Sequence, residues 1–243
     1  MTAVELSIVM PVFKEGEAVV PVIRALERDV RTPHEILVVY DFDDDPTAPV
    51  IARIAAEFST VRGHCNDLGR GVLNAMKAGI AASSAPYVLI TMADGSDEPH
   101  IVDSMVALAR SGADVVAASR HMPGGGQVGG PRVKRWMSRT AGPTLHRFAR
   151  VPTHDPTNDF KIYSRRFFDS LTVESEAGFE LALELTVKAS VAGRRVAEVP
   201  TIWRDRTEGR SNFRLRKWLP HYLHWYRRAF VGRLRRDPPE ASG

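Results

Sequence analysis

The chain has 243 residues, of which 44% are hydrophobic and 26% are charged. It is long enough for one large α/β domain with a short appendage, and its composition excludes disordered, collagen-like and disulfide-rich proteins. The one cysteine, Cys65, has no partner for an internal disulfide, which favours a reducing compartment such as the cytoplasm. The longest apolar stretch, residues 78–93, contains two serines and a proline and falls short of the roughly 20 apolar residues that span a bilayer.

The net charge of +4 is unevenly distributed along the chain. Residues 204–236 contain eleven Arg and Lys against two acidic residues, a net charge of +9, which leaves −5 for the rest of the chain. An acidic body suits a catalytic domain that holds a cation, whereas the basic segment needs an anionic partner or a solvated face.

Apolar runs alternate with segments of helical periodicity along the first two hundred residues. The runs that predict strands are short and bounded by polar breaks; they cover residues 6–12, 35–40, 87–92, 114–118, 160–163 and 196–203. The predicted helices cover residues 18–30, 49–58, 71–82, 100–110, 133–150 and 179–192. Because the strands are apolar on both faces, this alternation predicts a mainly parallel sheet covered by helices on both sides.

The segment 122–131 interrupts this alternation with five glycines and two prolines. Such a segment is too flexible for a regular element, and we expect a mobile flap there. No internal repeat or low-complexity linker divides the chain, so one compact domain with a C-terminal appendage is expected.

Charged residues follow three of the predicted strands, namely Asp41, Asp94 and Arg120. In open α/β sheets ligands bind at the carboxyl ends of the strands, so these side chains should meet in one crevice. Carboxylate oxygens there suit Mg²⁺ or Mn²⁺ that also binds a diphosphate. A single Asp after a strand is more often a turn former or a helix cap, but for Asp94 the joint pattern favours a ligand.

Four blocks in the first hundred residues resemble the motifs of inverting GT-A glycosyltransferases of family 2. Residues 11–15 (PVFKE) are similar to the P-x-Y-N-E opening, and residues 39–47 (VYDFDDDPT) to V-D-D-G-S-x-D-x-T. Asn66 with residues 69–71 (GRG) is similar to N-x-G-K/R-G, and residues 92–94 (MAD) occupy the place of D-x-D.

The second half of the chain resembles the dolichol (polyprenol) phosphate mannose synthase branch of that family. The similar blocks are residues 119–121 (SRH), 124–126 (GGG), 155–161 (DPTNDFK), 178–184, 198–200 (EVP) and 205–211. Together the blocks run in the family's order from about residue 6 to residue 212. Each block is weak evidence alone, but together, in register, they form a strong signal.

This resemblance implies a GT-A catalytic domain over residues 1–210. It implies an enzyme that transfers a hexose, with inversion, from a nucleotide-diphospho-sugar to a polyprenyl or dolichyl phosphate, with Mg²⁺ or Mn²⁺ as cofactor. By resemblance alone, mannose from GDP-mannose is the favoured donor group and UDP-glucose the alternative.

The resemblance also implies roles for individual residues. Those expected in catalysis are Asp94, Arg120, Asp155 and Arg206. Those expected to bind substrate are Pro11, Phe13, Glu15, Asp41, Asp45, Gly69, Arg70, Lys134, Arg135, Ser138, Arg139 and Ser211. Asp94 is the expected metal ligand, with Ser96 and Asp97 completing the sphere. Asp155 is expected either to orient an arginine or to contact the sugar.

A lipid monophosphate acceptor has a second pKa near ~6, so its oxygen is largely deprotonated at neutral pH and needs no general base. The site needs cations instead, and Arg suits phosphate through its bidentate geometry. Four positions depart from the family pattern: Tyr40, Met92, Asp159 and Asn212. Met92 replaces the first acidic residue of D-x-D, which weakens the metal prediction unless Ser96 or Asp97 compensates.

Residues 211–243 form a basic segment in which Leu, Trp and Tyr recur at helical spacing between Arg and Lys. Trp and Tyr prefer the headgroup layer and each basic residue near an anionic surface adds ~1 kcal/mol, so we expect peripheral contact with the cytoplasmic face of a membrane. The alternative is a terminal helix packed on the domain through its aromatic stripe. A nucleic-acid partner is not expected, because the crevice is acidic.

Two other functions remain open at this point. One is a family 2 transferase whose acceptor is a sugar, a protein or a small molecule. The other, suggested by Met92, is a module that binds a nucleotide-sugar or a lipid without turnover.

Overall fold

The computed structural model describes residues 3–130, 132–176, 178, 180–205 and 215–236, without the side chains of 132–138, 215–218 and 233–236. The strands are β1 (Leu6–Pro11), β2 (His34–Tyr40), β3 (Val61–Cys65), β4 (Tyr87–Ile90), β5 (Val115–Ser119), β6 (Gly126–Val128), β7 (Lys161–Ser164), β8 (Val196–Pro200) and β9 (Ile202–Arg204). The helices are α1 (Val19–Asp29), α2 (Thr47–Glu57), α3 (Val72–Ala82), α4 (Val102–Arg110), α5 (Arg132–Ala149), α6 (Arg165–Asp169), α7 (Leu181–Val191) and α8 (Leu215–Arg236).

Seven strands form the central sheet in the order β3-β2-β1-β4-β7-β5-β8. Strand β7 runs antiparallel to β4 and β5, and the other pairs are parallel. The carboxyl ends of β1, β2, β4 and β5 therefore lie at one edge of the sheet, where ligands of open α/β sheets bind. The mainly parallel sheet predicted from the alternating pattern is confirmed.

Both faces of the sheet are covered, which explains why its strands are apolar throughout. Ile8, Met10 and Ile36 face the layer that contains α1, α2 and α4. On the other face α3 approaches β1 so closely that a Cβ at Gly79 would lie 2.4 Å from Val9 Cγ1. Glycine at this helix position is thus a requirement of packing.

The glycine-rich segment 122–131 was predicted to be a flap without regular structure, but part of it forms a strand. Residues 126–128 form β6, which pairs in parallel with β9 in a second, two-stranded sheet. Gly125 lies so close to the preceding strand that a Cβ there would be 2.4 Å from the Ser119 carbonyl oxygen. The glycines of this segment therefore permit close backbone contacts as well as turns.

Helix α8 packs on α5 and α7. Trp225 and Ala229 are buried in a cluster with Leu145 and Ala149 of α5 and Leu183 of α7. The aromatic side chains of α8 thus pack on the domain. This is the arrangement that was expected as the alternative to membrane contact. Among the described residues, no helix is long and apolar enough to cross a membrane.

Candidate active site

A cleft of about 940 Å³ opens at the carboxyl edge of the central sheet. Its walls come from the loops after β1, β2, β4 and β5, the start of α3, the loop before β7, and parts of β9 and α8. Nine predicted site residues are among those that line it: Pro11, Phe13, Glu15, Asp41, Arg70, Asp94, Ser96, Asp97 and Arg120.

The loop after β1 carries Phe13 and Glu15 into the cleft, and Asp45 holds this loop in place. Asp45 is buried and accepts hydrogen bonds from the backbone N–H of Lys14 at 3.0 Å and of Thr47 at 2.8 Å. Lys14 has a φ of 59°, a left-handed conformation that is costly for a non-glycine residue. Asp45 is not among the residues that line the cleft, so the structure gives it an anchoring position where substrate binding was predicted.

Asp41, after β2, is tied to the loop that precedes α3. Its Oδ1 accepts from Asn66 Nδ2 and its Oδ2 from the backbone N–H of Gly71, both at 2.9 Å. The carbonyl of Gly69, a residue with φ of 91°, accepts a second bond from Asn66 Nδ2 at 2.7 Å. Gly69 is outside the cleft lining and thus shapes the loop from which Arg70 enters the cleft.

Aromatic rings and cations stand together at this end of the cleft. Phe13 and Phe42 meet edge to face, with ring centroids 6.0 Å apart. The guanidinium of Arg70 lies 4.9 Å from the centroid of Phe42, and Lys14 Nζ lies within 6 Å of both rings, at 5.6 and 5.7 Å. Such cation–π contacts hold the guanidinium of Arg70 against the ring of Phe42.

Asp94 lines the cleft in the turn that follows β4. Its Oδ1 accepts from the backbone N–H of Ser96 at 3.1 Å and from the Ser96 hydroxyl at 2.6 Å. Ser96 therefore fixes the Asp94 carboxylate, and its predicted role as a further metal ligand stays a prediction. Met92 also lines the cleft, and it packs against the buried cluster that contains Leu73 and Met76.

The donor set suits a divalent cation that takes most of its ligands from elsewhere. Within the described residues no group of three His, Cys, Asp or Glu is arranged to hold a metal. Mg²⁺ commonly binds proteins through one or two carboxylates and completes its octahedron with phosphate oxygens and water. Asp94, an oriented carboxylate at the edge of an open cleft, fits this mode of binding.

Two further carboxyl groups line the cleft close to Asp94. Burial, together with the charges of Asp94 and Asp159, raises the pKa of Asp97 to about 8. Burial also raises the pKa of Asp159 and lowers that of Lys161, which lies beneath the cleft on β7. Lys161 Nζ donates to the carbonyl oxygens of Pro156 and Asn158. Burial and mutual repulsion thus favour the protonated form of Asp97 and Asp159 in the cleft.

Arg120 follows β5 and forms a bidentate ion pair with Asp155. Its Nε lies 2.6 Å from Asp155 Oδ2 and its Nη2 lies 2.8 Å from Oδ1, and its backbone N–H donates to Oδ2 at 3.1 Å. The Asp155 side chain is fully buried and that of Arg120 is 11% exposed. Burial alone would raise the pKa of Asp155, but the charge of Arg120 and its hydrogen bonds lower this pKa below its ordinary value.

Of the two roles predicted for Asp155, this geometry favours the orientation of an arginine over contact with the sugar. Arg120 lines the cleft, whereas Asp155 lies behind it and is not part of the lining. Asp155 therefore orients the arginine, and the geometry gives no support to a direct contact with the sugar. Thr157, which lines the cleft, also accepts from Arg120 Nη2 at 3.3 Å.

Several predicted residues cannot be assigned to the cleft. Arg206 and Ser211 lie outside the described residues, as do the side chains of Lys134, Arg135 and Ser138. Arg139 is exposed on α5 and is not among the lining residues. The sequence did not single out the lining residues Thr157, Asn158, Glu176, Trp203 and His221 for the site.

The last three come from distant elements. Trp203 lies on β9 and His221 on α8, and Glu176 precedes α7. Their sequence positions carry no local signal for a site, since only the folding of β9 and α8 over the sheet edge brings them there. Asp159 was noted only as a departure from the family pattern.

Solved structures of similar fold include a glucosyl-3-phosphoglycerate synthase and a mannosyl-3-phosphoglycerate synthase. Glucosyl-3-phosphoglycerate synthase from Mycobacterium tuberculosis, in complex with Mn²⁺, UDP and glucosyl-3-phosphoglycerate, matches 98% of this chain and 82% of its own, with a TM-score of 0.64 and 19% identity. A further complex of that enzyme contains Mg²⁺ and UDP. Mannosyl-3-phosphoglycerate synthase from Rubrobacter xylanophilus matches 99% of this chain and 77% of its own, with a TM-score of 0.64 and 22% identity. This likeness establishes the GT-A fold predicted from the sequence.

Relatives found by sequence are glycosyltransferases. An uncharacterized glycosyltransferase of Mycobacterium bovis is 30% identical over 211 residues, which cover 84% of this chain and 88% of the relative. Glycosyltransferase AglD of Haloferax volcanii is 29% identical over 209 residues, which cover 82% of this chain and 33% of AglD. The chain thus spans nearly the full length of the first relative and a third of the second.

The family model described as glycosyl transferase family 2 matches residues 7–172, more than half of the chain. This range contains β2 to β5, all of β1 except Leu6, and the loops that carry Asp41, Asp94, Arg120 and Asp155. The chain belongs to glycosyl transferase family 2.

Proposed function

We propose that this enzyme transfers a hexose, with inversion, from a nucleotide-diphospho-sugar to an acceptor that carries a phosphate group. One observation carries the proposal: Asp94 and Arg120 line a single cleft from the ends of β4 and β5, separated in the sheet only by β7. A carboxylate that suits a cation thereby faces the same space as an arginine that suits phosphate.

Different residues of the cleft would bind different parts of the donor and the acceptor. Phe13, Asp41 and Arg70 offer a flat surface, a carboxylate and a cation to the nucleoside and its phosphates. A Mg²⁺ or Mn²⁺ ion held by Asp94 would stabilise the negative charge that grows on the leaving diphosphate. Arg120, whose Nε and Nη2 are held by Asp155, would use its positive charge at the cleft wall to offset the repulsion between the acceptor phosphate and the diphosphate.

For the acceptor we propose a polyprenyl phosphate, with mannose from GDP-mannose as the favoured donor group and UDP-glucose as the alternative. This choice is supported by the resemblance of residues 119–126, 155–161 and 198–211 to the polyprenol phosphate mannose synthases. An ionised phosphate oxygen attacks without the help of a general base.

A small phosphorylated acceptor is the second candidate. It is supported by the two similar structures, whose enzymes make glucosyl- and mannosyl-3-phosphoglycerate. It is also supported by Asp159, because a hydroxyl nucleophile needs a proton acceptor and this carboxyl lines the cleft where the family commonly has glycine.

Contact with the cytoplasmic face of a membrane is part of the first candidate. Helix α8 buries Trp225 but leaves Leu223 55% exposed and Val231 42% exposed on its outer side. Arg227 is exposed on the same helix, whereas Arg228 forms an ion pair with Glu174. A surface that combines apolar side chains and arginines suits anionic lipid headgroups.

The test is a transfer assay with the purified protein and Mn²⁺. Labelled GDP-mannose and UDP-glucose are each offered with a short polyprenyl phosphate and, separately, with 3-phosphoglycerate. Label in the organic phase supports the polyprenyl acceptor, and label in an anionic water-soluble product supports the second candidate. Donor binding without transfer to either acceptor would contradict both.

A further inference from the structure

The place of Arg120 in the cleft depends on a loop that has no regular structure of its own. Asp155, its ion-pair partner, lies in the stretch between α5 and β7, where residues 150–160 form neither helix nor strand. A buried carboxylate can orient a guanidinium only if its own backbone is fixed. The contacts that fix this loop are therefore part of the geometry of the cleft.

Glu198 of β8 makes the most direct of these contacts. Its Oε2 accepts from the hydroxyl of Thr153 at 2.9 Å and from the backbone N–H of His154 at 2.8 Å. Its Oε1 lies 2.5 Å from His154 Nδ1, which donates because an ionised carboxylate only accepts. One carboxylate thus holds two consecutive residues of the loop, directly before Asp155.

Thr153 links Glu198 to Asp155 through two hydrogen bonds. Its hydroxyl oxygen accepts from the backbone N–H of Asp155 at 3.1 Å while its proton is donated to Glu198. Thr153 and Asp155 are both fully buried, so no water competes for these bonds. The resulting path runs from Glu198 through Thr153 and Asp155 to Arg120.

Both ends of this path rest on the same pair of strands. Glu198 lies opposite Ala117 in the parallel pairing of β8 with β5, and Arg120 follows the last residue of β5. Glu198 therefore holds the loop in a fixed position relative to β5, the strand that Arg120 follows. A shift of the loop relative to β5 would move Asp155 and Arg120 together or break their ion pair.

The far side of the loop is closed by α5. The ring of His146 stacks on that of His154 with centroids 3.9 Å apart, and a Cβ at Gly142 would lie 2.2 Å from the carbonyl oxygen of His154. His121 also faces this region, since a Cβ at Gly142 would lie 3.5 Å from its ring. Burial raises the pKa of Glu198, but the hydrogen bonds from His154 outweigh it and lower this pKa below its ordinary value.

We propose that Glu198 is a positioning residue: by holding Thr153 and His154 it sets the Asp155 carboxylate, and through it the guanidinium of Arg120 in the cleft. The inference rests on the proposed function only for the role of Arg120 in transfer. The positioning itself is a property of the folded protein and can be measured without substrate.

The first measurement is hydrogen exchange at the Arg120 Nε–H, followed by ¹H–¹⁵N NMR. The signal is assigned by its loss in Arg120→Lys. In Glu198→Ala we expect this proton to exchange at least about tenfold faster, because the ion pair opens more often. If Glu198→Ala does not fold, Glu198→Gln serves instead, with an expected acceleration of at least about threefold, because the amide keeps only one acceptor oxygen.

Asp114→Asn is the matched control. Asp114 is also a buried carboxylate next to β5, where it accepts from Ser164 Oγ at 2.8 Å and Arg166 Nε at 2.6 Å. It precedes β5, at the opposite end of the strand from the cleft. Unchanged exchange in both Glu198 variants, or an equal acceleration in Asp114→Asn, would overturn the proposal.

The second measurement separates binding from turnover. In Glu198→Ala, kcat for sugar transfer should fall about 10- to 100-fold through misplacement of Arg120, with the Kd for nucleotide and Mn²⁺ changed less than about twofold. An equal loss of nucleotide binding would indicate general unfolding of the site and contradict the proposal. If Arg120→Lys transfers sugar like the wild type, the proposed role of Arg120 is wrong, while the exchange measurement still decides on Glu198.

Discussion

The backbone N–H of Lys14 donates to the Asp45 carboxylate across 3.0 Å, linking the loop after β1 to the start of α2. Lys14 is held at a φ of 59° in this loop, between the two residues Phe13 and Glu15 that line the cleft. A strained conformation next to a binding surface persists only when its surroundings enforce it. The hydrogen bond to Asp45 helps to hold Lys14 in this conformation.

We therefore expect Asp45→Ala to loosen this loop. The change leaves two backbone donors without their acceptor, and the free energy of unfolding should fall by about 1–3 kcal/mol in urea titrations. Asp44→Ala, at the exposed neighbouring position, should change it by less than about 0.5 kcal/mol. Equal effects of the two substitutions would show that the Asp45 contacts do not hold the loop.

Asp94→Ala tests the cation site. Calorimetry should show that Mn²⁺ no longer strengthens nucleotide diphosphate binding, and sugar transfer should be lost. Cys65→Ser should retain both properties, because Cys65 ends β3 outside the cleft lining. Transfer at the wild-type rate by Asp94→Ala would remove the assignment of this residue as a metal ligand.

The ion pair of Arg120 and Asp155 predicts a pH dependence of stability. Because the pKa of Asp155 is lowered in the folded protein, its contribution is present above the unfolded pKa and is lost progressively as the pH falls below about 5. Asp155→Asn should destabilise the protein by about 3–5 kcal/mol at pH 7, since a buried arginine loses its partner. In unfolding curves this difference from the wild type should stay constant between pH 7 and about pH 5 and narrow as the pH falls from about 5 to 3.

The exposed pair of Arg53 and Glu17 is the control for that series. Their side chains are 58% and 71% exposed, so Glu17→Gln should cost less than about 1 kcal/mol at any of these pH values. A constant difference between wild type and Asp155→Asn across the series would contradict the lowered pKa.

Gly79→Ala tests the contact between α3 and the sheet. Alanine favours a helix more than glycine does, but its methyl group would meet Val9 of β1 at 2.4 Å. We expect a net loss of about 1–3 kcal/mol in the free energy of unfolding, because β1 is fully buried and cannot yield. A gain in stability would show that the higher helix propensity of alanine outweighs the steric clash with Val9.

Helix α8 allows its two sides to be tested separately. Trp225→Ala should reduce stability by about 3–5 kcal/mol, because it empties part of the contact with α5 and α7. Leu223→Ser with Arg227→Ala should leave stability nearly unchanged and weaken sedimentation with vesicles that contain anionic phospholipid. Unchanged vesicle binding in the double variant would contradict membrane contact through this surface.

The sequence predicted most helices and strands in both halves of the chain to within two or three residues of their observed bounds. Strands β1 and β2 and helices α1 to α4 lie within two or three residues of their predicted ranges, since each has one clear hydrophobic period. Strand β3 (VRGHC) was missed because it carries exposed and half-exposed residues, and α6 because it has only five residues. Strand β6 was missed because glycines and a proline dominate its surroundings.

The site was predictable where local sequence specifies it. Asp41, Asp94 and Arg120 follow predicted strands, and the rule that strand ends meet at one edge brought them together. The roles of Asp45, Asp155 and Glu198 depend on partners 31, 35 and 44 residues away, which no local pattern reveals. His221 and Trp203 reach the cleft only through tertiary packing of α8 and β9.

A crystal structure with Mn²⁺ and a non-hydrolysable nucleotide-diphospho-sugar tests the central claim most directly. The account predicts the metal on Asp94 with the diphosphate bound to it, the base beside Phe13 and Asp41, and Arg120 facing the part of the cleft that is left for the acceptor phosphate. A diphosphate bound away from Asp94 would contradict it.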